Sequence, residues 1–156
     1  MSSQNLSSFD KSDIGDCSHL NVGIVCSKWN SDITENLYDG AFSTLLELGI
    51  NKNNIISIKV PGSFELVYGA NKMSKKNVDV IICLGCVIRG ETSHFDYICN
   101  SVSNGIMNLN IELDIPVIFG VLTDNTKQQS IDRSGGKLGN KGVEAAVTAV
   151  QMALLK

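Results

Sequence analysis

Basic charge is not in excess in this chain. Thirteen Lys and Arg residues stand against sixteen Asp and Glu, for a net charge of −3. A nucleic-acid surface is marked by a basic patch or stripe, so no nucleic-acid partner is expected. Long apolar runs are also missing. The most apolar stretch, Val78 to Ile88, falls far short of the roughly 20 residues a membrane helix needs, so no membrane partner is expected either. Residues 1 to 19 lack the apolar core of a signal peptide and the Arg-rich amphipathic pattern of a transit peptide. The five cysteines are an odd number. With no secretion signal, they argue for a reducing compartment and a cytoplasmic location. No His/Cys cluster has metal-ligand spacing, so no metal is expected. Cys83-Leu84-Gly85-Cys86 has the spacing of a redox motif. It falls within an expected strand, where positions i and i+3 face opposite ways, so both thiols read as small buried apolar groups.

What is present is an ordinary globular composition, 43% apolar and 19% charged over 156 residues, enough for one domain with a substantial core. Residues 1–19, rich in Ser and Asp, read as a flexible arm. Residues 20–156 contain no internal repeat and no linker, and read as one domain.

The order of elements predicts an α/β fold. His19 to Ser27 is an apolar, β-branched strand. Asn30 or Ser31 can cap a helix to about Leu48, with an apolar stripe through Ile33, Leu37, Phe42 and Leu45 and a terminating Gly49. Ile55 to Val60 is the second strand. Ser63 can cap a helix over roughly 64–76. Val78 to Ile88 reads as a strand buried on both faces, and Ser93 can cap a helix running through Ile106 and Leu109. Pro116 to Thr123 is a fourth strand. A short helix over 125–133, a Gly-rich turn at 135–140 and a closing helix from Lys141 to Leu155 complete the chain. Strand-helix alternation predicts a three-layer αβα sandwich around a four-stranded parallel sheet with right-handed crossovers, a flavodoxin-like topology.

Polar and aromatic exceptions gather after each expected strand: Trp29 and Asn30, then Ser63 and Glu65, then Arg89, Glu91, Thr92 and His94, then Asp124 and Asn125. A core has no use for that distribution, whereas a crevice at the carboxyl ends of parallel strands does. His94, the one histidine besides His19, is the candidate general acid/base, because imidazole exchanges protons near neutrality; a surface histidine is the plain alternative. Gly90 to Ser93 offers backbone N–H groups at a helix start, either an anion site or an ordinary cap. Arg133 and Lys141 can complete a phosphate site or stay solvated. Trp29, the only tryptophan, is either core packing or a stacking platform for a flat heterocycle. Glu65 can meet polar groups of such a ligand or simply favour a helix start.

The blocks GIVCSKWN, VPGSFEL, LGCVIRGETSHFDYICN, PVIFGVLT and DRSGGKLGNKGVEAA, in this order and spacing, resemble those of lumazine synthases over residues 20–156. The resemblance implies condensation of 5-amino-6-(D-ribitylamino)uracil with 3,4-dihydroxy-2-butanone 4-phosphate to 6,7-dimethyl-8-ribityllumazine and phosphate, without cofactor or metal. It implies that Trp29 stacks on the pyrimidine. Ser63, Phe64, Glu65, Cys86, Val87 and Ile88 then bind its edges and ribityl chain. Glu91 and Thr92 hold the phosphoketone through backbone N–H groups, with Arg133 on the phosphate, and His94 moves protons. Phe119 and Lys141 also match site positions. It further implies a homopentamer with sites between subunits, Phe119 and Arg133 coming from the neighbour. The short segment Ser134 to Asn140 implies assembly into a 60-subunit shell. Two positions depart from the family's pattern: Val67 stands where proline is frequent, and Trp29 where phenylalanine is commoner. A flavodoxin-type flavin carrier would share the fold class, but it wants a Ser/Thr/Gly-rich phosphate loop where Lys28-Trp29-Asn30-Ser31 stands. A catalytically inactive shell protein is the other alternative, against which His94, Arg133 and Lys141 speak.

Overall fold

The computed structural model describes residues 5, 7–11 and 14–155. Four strands, β1 (Val22–Ser27), β2 (Ile55–Val60), β3 (Val80–Ile88) and β4 (Val117–Asp124), alternate with helices α1 (Ser31–Glu47), α2 (Leu66–Met73) and α3 (His94–Glu112). Then come α4 (Lys127–Arg133), a hairpin of β5 (Ser134–Gly136) and β6 (Gly139–Asn140), and α5 (Lys141–Ala153). The main sheet has the order β2-β1-β3-β4, with every pair parallel. This is the expected α/β sandwich. The chain leaves β1 on one side for β2 and returns on the other for β3, so the topological switch point lies between β1 and β3. In open α/β sheets the ligand crevice sits outside the carboxyl ends at that point.

Period-two alternation along buried strands makes two cores. Val22, Ile24, Cys26, Val80, Ile82, Leu84 and Cys86 face α1 and α5, where they meet Ile33, Leu37, Leu45, Ala146 and Ala149. Val25, Ile81, Cys83, Val117 and Val121 face α2 and α3, where they meet Leu66, Met73, Val102 and Ile106. Cys83 and Cys86 thus lie in different cores, as their spacing on a strand requires. Burial pushes the Cys83 thiol up to about 12 and the Cys86 thiol up to about 11. Truncating a side chain as buried as Leu37, which has no exposed surface, costs about 2–5 kcal/mol. At the α1–α5 contact Gly142 sits against the Leu37 carbonyl, where a methyl group would collide with backbone.

Three local expectations are revised. Helix α2 begins at Leu66 rather than 64, because Ser63 turns inward instead of capping and is buried. The loop is closed instead by Glu65, whose Oε2 accepts from the Gly62 N–H at 2.9 Å. Ser93 occupies the cap position of α3 without a side-chain bond. The Gly-rich turn is a small antiparallel hairpin, with Gly135 and Gly139 at φ 117° and 78°, a region that favours glycine.

Residues 1–4, 6, 12 and 13 of the expected arm lie outside the described residues. Of the rest, Phe9 and Ile14 pack on the α1–α5 core. Lys11 Nζ donates to the Glu47 carbonyl at 2.6 Å, and Ser7 Oγ accepts from the Asn140 N–H at 2.7 Å. Among the described residues no helix is long and apolar enough to cross a membrane.

Candidate active site

Beyond the carboxyl edge, the loops after β1 and β2 run together. The Lys28 N–H donates to the Val60 carbonyl at 2.9 Å, and the Trp29 N–H to the Pro61 carbonyl at 3.1 Å. Asn30 then takes the left-handed conformation, φ 56° and ψ 49°, which asparagine tolerates better than most residues. Its Nδ2 donates to the Cys86 carbonyl at 3.0 Å, strapping this loop to β3 across the switch point. The strap leaves Trp29 projecting, 65% exposed, so it is not core packing. Its six-membered ring rests on Gly62. A Cβ built there would lie 2.6 Å from Cε3 and 2.7 Å from Cζ3. The indole thus lies close against the bare Gly62 backbone while most of its surface stays exposed. Phe64 beside it is also exposed. Behind them, the Ser27 and Ser63 hydroxyls are buried with no hydrogen-bond partner among the described residues. Both approach Gly85, where a Cβ would lie 2.7 Å from the Ser63 Oγ and 3.4 Å from the Ser27 Oγ, so a side chain there would collide with Ser63.

At the end of β3, Cys86 is buried, while Val87 and Ile88 are half-buried. The next residues turn outward. Glu91, Thr92 and His94 are exposed, and His94 is the first residue of α3. Among the described residues the N–H groups of Gly90, Glu91, Thr92 and Ser93 have no hydrogen-bond partner. The His94 N–H meets Thr92 Oγ1 at 3.4 Å. Free N–H groups at the start of a 19-residue helix favour an anion by hydrogen bonding and by the helix dipole.

The end of β4 is tied to the same edge. Cys86 Sγ donates to Ser130 Oγ at 3.4 Å, and Ser130 Oγ donates to Asp124 Oδ2 at 2.8 Å. Arg133 Nε lies 3.8 Å from Asp124 Oδ1, and its NH1 donates to the Gln129 carbonyl at 2.9 Å. Arg133 is therefore linked through Asp124 and Ser130 to Cys86 near the end of β3, while Phe119 and Lys141 lie elsewhere. Phe119 is opposite Cys83, mid-strand on the edge strand β4, and is 40% exposed. Lys141 opens α5, and its ammonium is held by both Glu144 oxygens at 2.7 and 2.8 Å.

Trp29, Phe64, Glu91, Thr92 and His94 stand exposed along this edge. Two concavities of about 760 and 450 Å³ lie against Phe9, and neither is lined by Trp29, Glu65, His94 or Arg133. Among the described residues no three His, Cys, Asp or Glu side chains gather as metal ligands. The Asn30 strap and the Ser130–Asp124 link were not foreseen. Asparagine between a strand end and a helix was the available signal for the first; nothing local marks the second.

This arrangement suits a planar ligand lying on an aromatic face, next to an anion on free N–H groups and a histidine between strand and helix. A family profile described as 6,7-dimethyl-8-ribityllumazine synthase matches residues 19–156. A protein of that name from Flavobacterium johnsoniae is 55% identical over 154 residues, covering 98% of this chain and 81% of the relative. One from Parabacteroides distasonis is 53% identical over 150 residues, covering 96% and 94%. One from Cytophaga hutchinsonii is 56% identical over 150 residues, with the same coverage. The chain belongs to the 6,7-dimethyl-8-ribityllumazine synthase family.

Proposed function

We propose that this protein condenses 5-amino-6-(D-ribitylamino)uracil with 3,4-dihydroxy-2-butanone 4-phosphate in riboflavin biosynthesis, giving 6,7-dimethyl-8-ribityllumazine, inorganic phosphate and two molecules of water. The observation that carries the proposal is the shared edge. The exposed Trp29 against Gly62, four N–H groups with no hydrogen-bond partner among the described residues and His94 all stand beyond the carboxyl ends of β1–β3. Trp29 stacks on the pyrimidine. Ser63, Phe64, Cys86, Val87 and Ile88 border its ring and ribityl chain. Glu65 gives Oε2 to Gly62 and keeps Oε1 for a ligand hydroxyl. The phosphoketone lies on the Glu91–Thr92 N–H groups with Arg133 on its phosphate. His94 moves protons as the amine and ketone lose water to form the imine and as phosphate departs. No cofactor or metal takes part.

In this reading the working unit is a cytoplasmic homopentamer, with Phe119 and Arg133 serving the neighbour's site and Lys141 bordering it. The exposed ring of Phe119 on an edge strand and the exposure of Trp29, Phe64 and His94 support a second copy as cover for the site. The short β5–β6 hairpin supports twelve pentamers in a 60-subunit shell, with residues 1–19 as an arm outside the catalytic domain. The function is tested by expressing the chain in a riboflavin-requiring strain that lacks this step. Growth without riboflavin, abolished by His94→Ala, is expected; no growth from the well-expressed wild-type chain would overturn the proposal. Light scattering tests the assembly: a particle of about 84 kDa (five copies of 16.8 kDa) would remove the shell, and a monomer would remove both.

A further inference from the structure

The turn between Arg89 and Asp96 carries Glu91, Thr92 and His94, yet almost nothing inside it fixes its shape. Its internal side-chain bond is the 3.4 Å contact from the His94 N–H to Thr92 Oγ1. Gly90 has open space where a side chain would be. The two ends, by contrast, are joined. Arg89 NH2 donates to Asp96 Oδ1 at 2.7 Å and NH1 to Oδ2 at 3.1 Å. Arg89 Nε donates to Asn125 Oδ1 at 3.1 Å, its backbone N–H donates to the Asp124 carbonyl at 2.9 Å, and its guanidinium carbon lies 4.1 Å from the centre of the Phe95 ring. Phe95 itself is buried, so the stack has a firm base. Asn125 is in turn fixed through its N–H to Gln129 Oε1 at 2.8 Å, in the capping box of α4.

We propose that Arg89 and Asp96 are positioning residues, a bidentate clamp that closes the turn and sets the Glu91–Thr92 N–H groups and His94 for reaction. The inference rests on the proposed function for the role of that turn. The planar fork of arginine matches a carboxylate in a way lysine cannot. Because both partners are about half exposed, the pair adds little to stability, and its effect falls on geometry. Displacing reacting groups by about 1 Å can cost on the order of 10²-fold in rate. Among the described residues, no hydrogen bond or ion pair joins the loops after β1 and β2, which border the pyrimidine, to Arg89 or Asp96.

The test is steady-state kinetics of Arg89→Lys, Asp96→Asn and the double variant in the assembled enzyme, beside His94→Ala. Each single variant is expected to lower kcat about 10- to 100-fold and raise KM for the phosphoketone, with KM for the pyrimidine within about twofold. The double variant should be no worse than the poorer single, because both remove one device. Thermal stability should hardly move, which separates positioning from loss of fold. If Asp96→Asn fails to assemble, Arg89→Lys, which keeps the charge, carries the same test. Wild-type kinetics in both clamp variants beside an impaired His94→Ala would overturn the clamp alone. Wild-type kinetics in His94→Ala would overturn both the clamp and the chemistry assigned to the turn.

Discussion

Gly62→Ala is the sharpest perturbation of the ligand platform, because it substitutes none of the residues whose side chains are proposed to touch the ligand. A methyl on Gly62 would lie 2.6 Å from Trp29 Cε3, 2.7 Å from Cζ3 and 3.1 Å from Glu65 Oε2. The indole is mostly exposed and can swing aside, so the clash is relieved by moving Trp29. Stability should change by about 1 kcal/mol or less. Binding should not escape so lightly. Aromatic pairing contributes about 0.5–1.5 kcal/mol beyond area burial, and at about 1.4 kcal/mol per decade its loss is about a 2- to 12-fold rise in Kd. Riboflavin shares a ribityl chain and a fused pyrimidine edge with the proposed product and serves as the probe. Trp29 is the only tryptophan, so its quenching, corrected for inner-filter absorption, reports wild-type binding directly. Calorimetry gives the affinity of Gly62→Ala and Trp29→Ala. Gly142→Ala provides the contrast: its methyl meets the Leu37 carbonyl, which cannot yield without shifting α1 against α5, so the variant should lose stability by about 1–3 kcal/mol. Unchanged riboflavin affinity in both Gly62→Ala and Trp29→Ala would refute the stacking role.

Arg133→Ala should raise KM for the phosphoketone more than it lowers kcat, whereas His94→Ala should lower kcat about 10²–10⁴-fold with modest change in either KM; steady-state kinetics checks both. The Arg89 guanidinium holds the Asp96 carboxyl below its usual range, as hydrogen bonding from Gln128 and Lys137 holds that of Asp132. A carboxyl depressed in the fold contributes stability that is complete above its unfolded value of about 3.9 and lost as pH falls through the folded value. These two groups therefore leave stability level from about pH 5 to 8, and a circular-dichroism titration should find their contribution lost only below about pH 4. Burial raises the Cys26 thiol, like that of Cys86, to about 11. Thiolates are then scarce at pH 8, and mass spectrometry after iodoacetamide should find both unlabelled until the protein is unfolded.

How far the sequence led depends on the range of the interaction. Strand β3 was legible because a strand buried on both faces needs an apolar run, and the polar break at Arg89 marked its end. Helix α1 was legible from its stripe and from Gly49, which takes φ 99°. Of the candidate site, Trp29, Ser63, Glu65, Glu91, Thr92 and His94 stood out as residues a core would reject, collected after the strands, whereas Phe64, Cys86, Val87, Ile88 and Phe119 were implied only by the family resemblance. Ser63 misled because a serine before a helix reads as a cap, while its burial against Gly85 is a tertiary fact. The Asn30 strap joins residues 56 apart and the Cys86–Ser130 bond joins residues 44 apart. No local pattern encodes such pairs. The Arg89–Asp96 clamp spans seven positions, but a turn can be read from sequence without showing that its ends meet.

The most direct test of the central claim is to give the purified assembly both substrates and follow two products at once. The account predicts 6,7-dimethyl-8-ribityllumazine and inorganic phosphate appearing one to one, with neither formed when the pyrimidine is left out. Phosphate without lumazine, or no turnover by an assembly that still binds riboflavin, would contradict it.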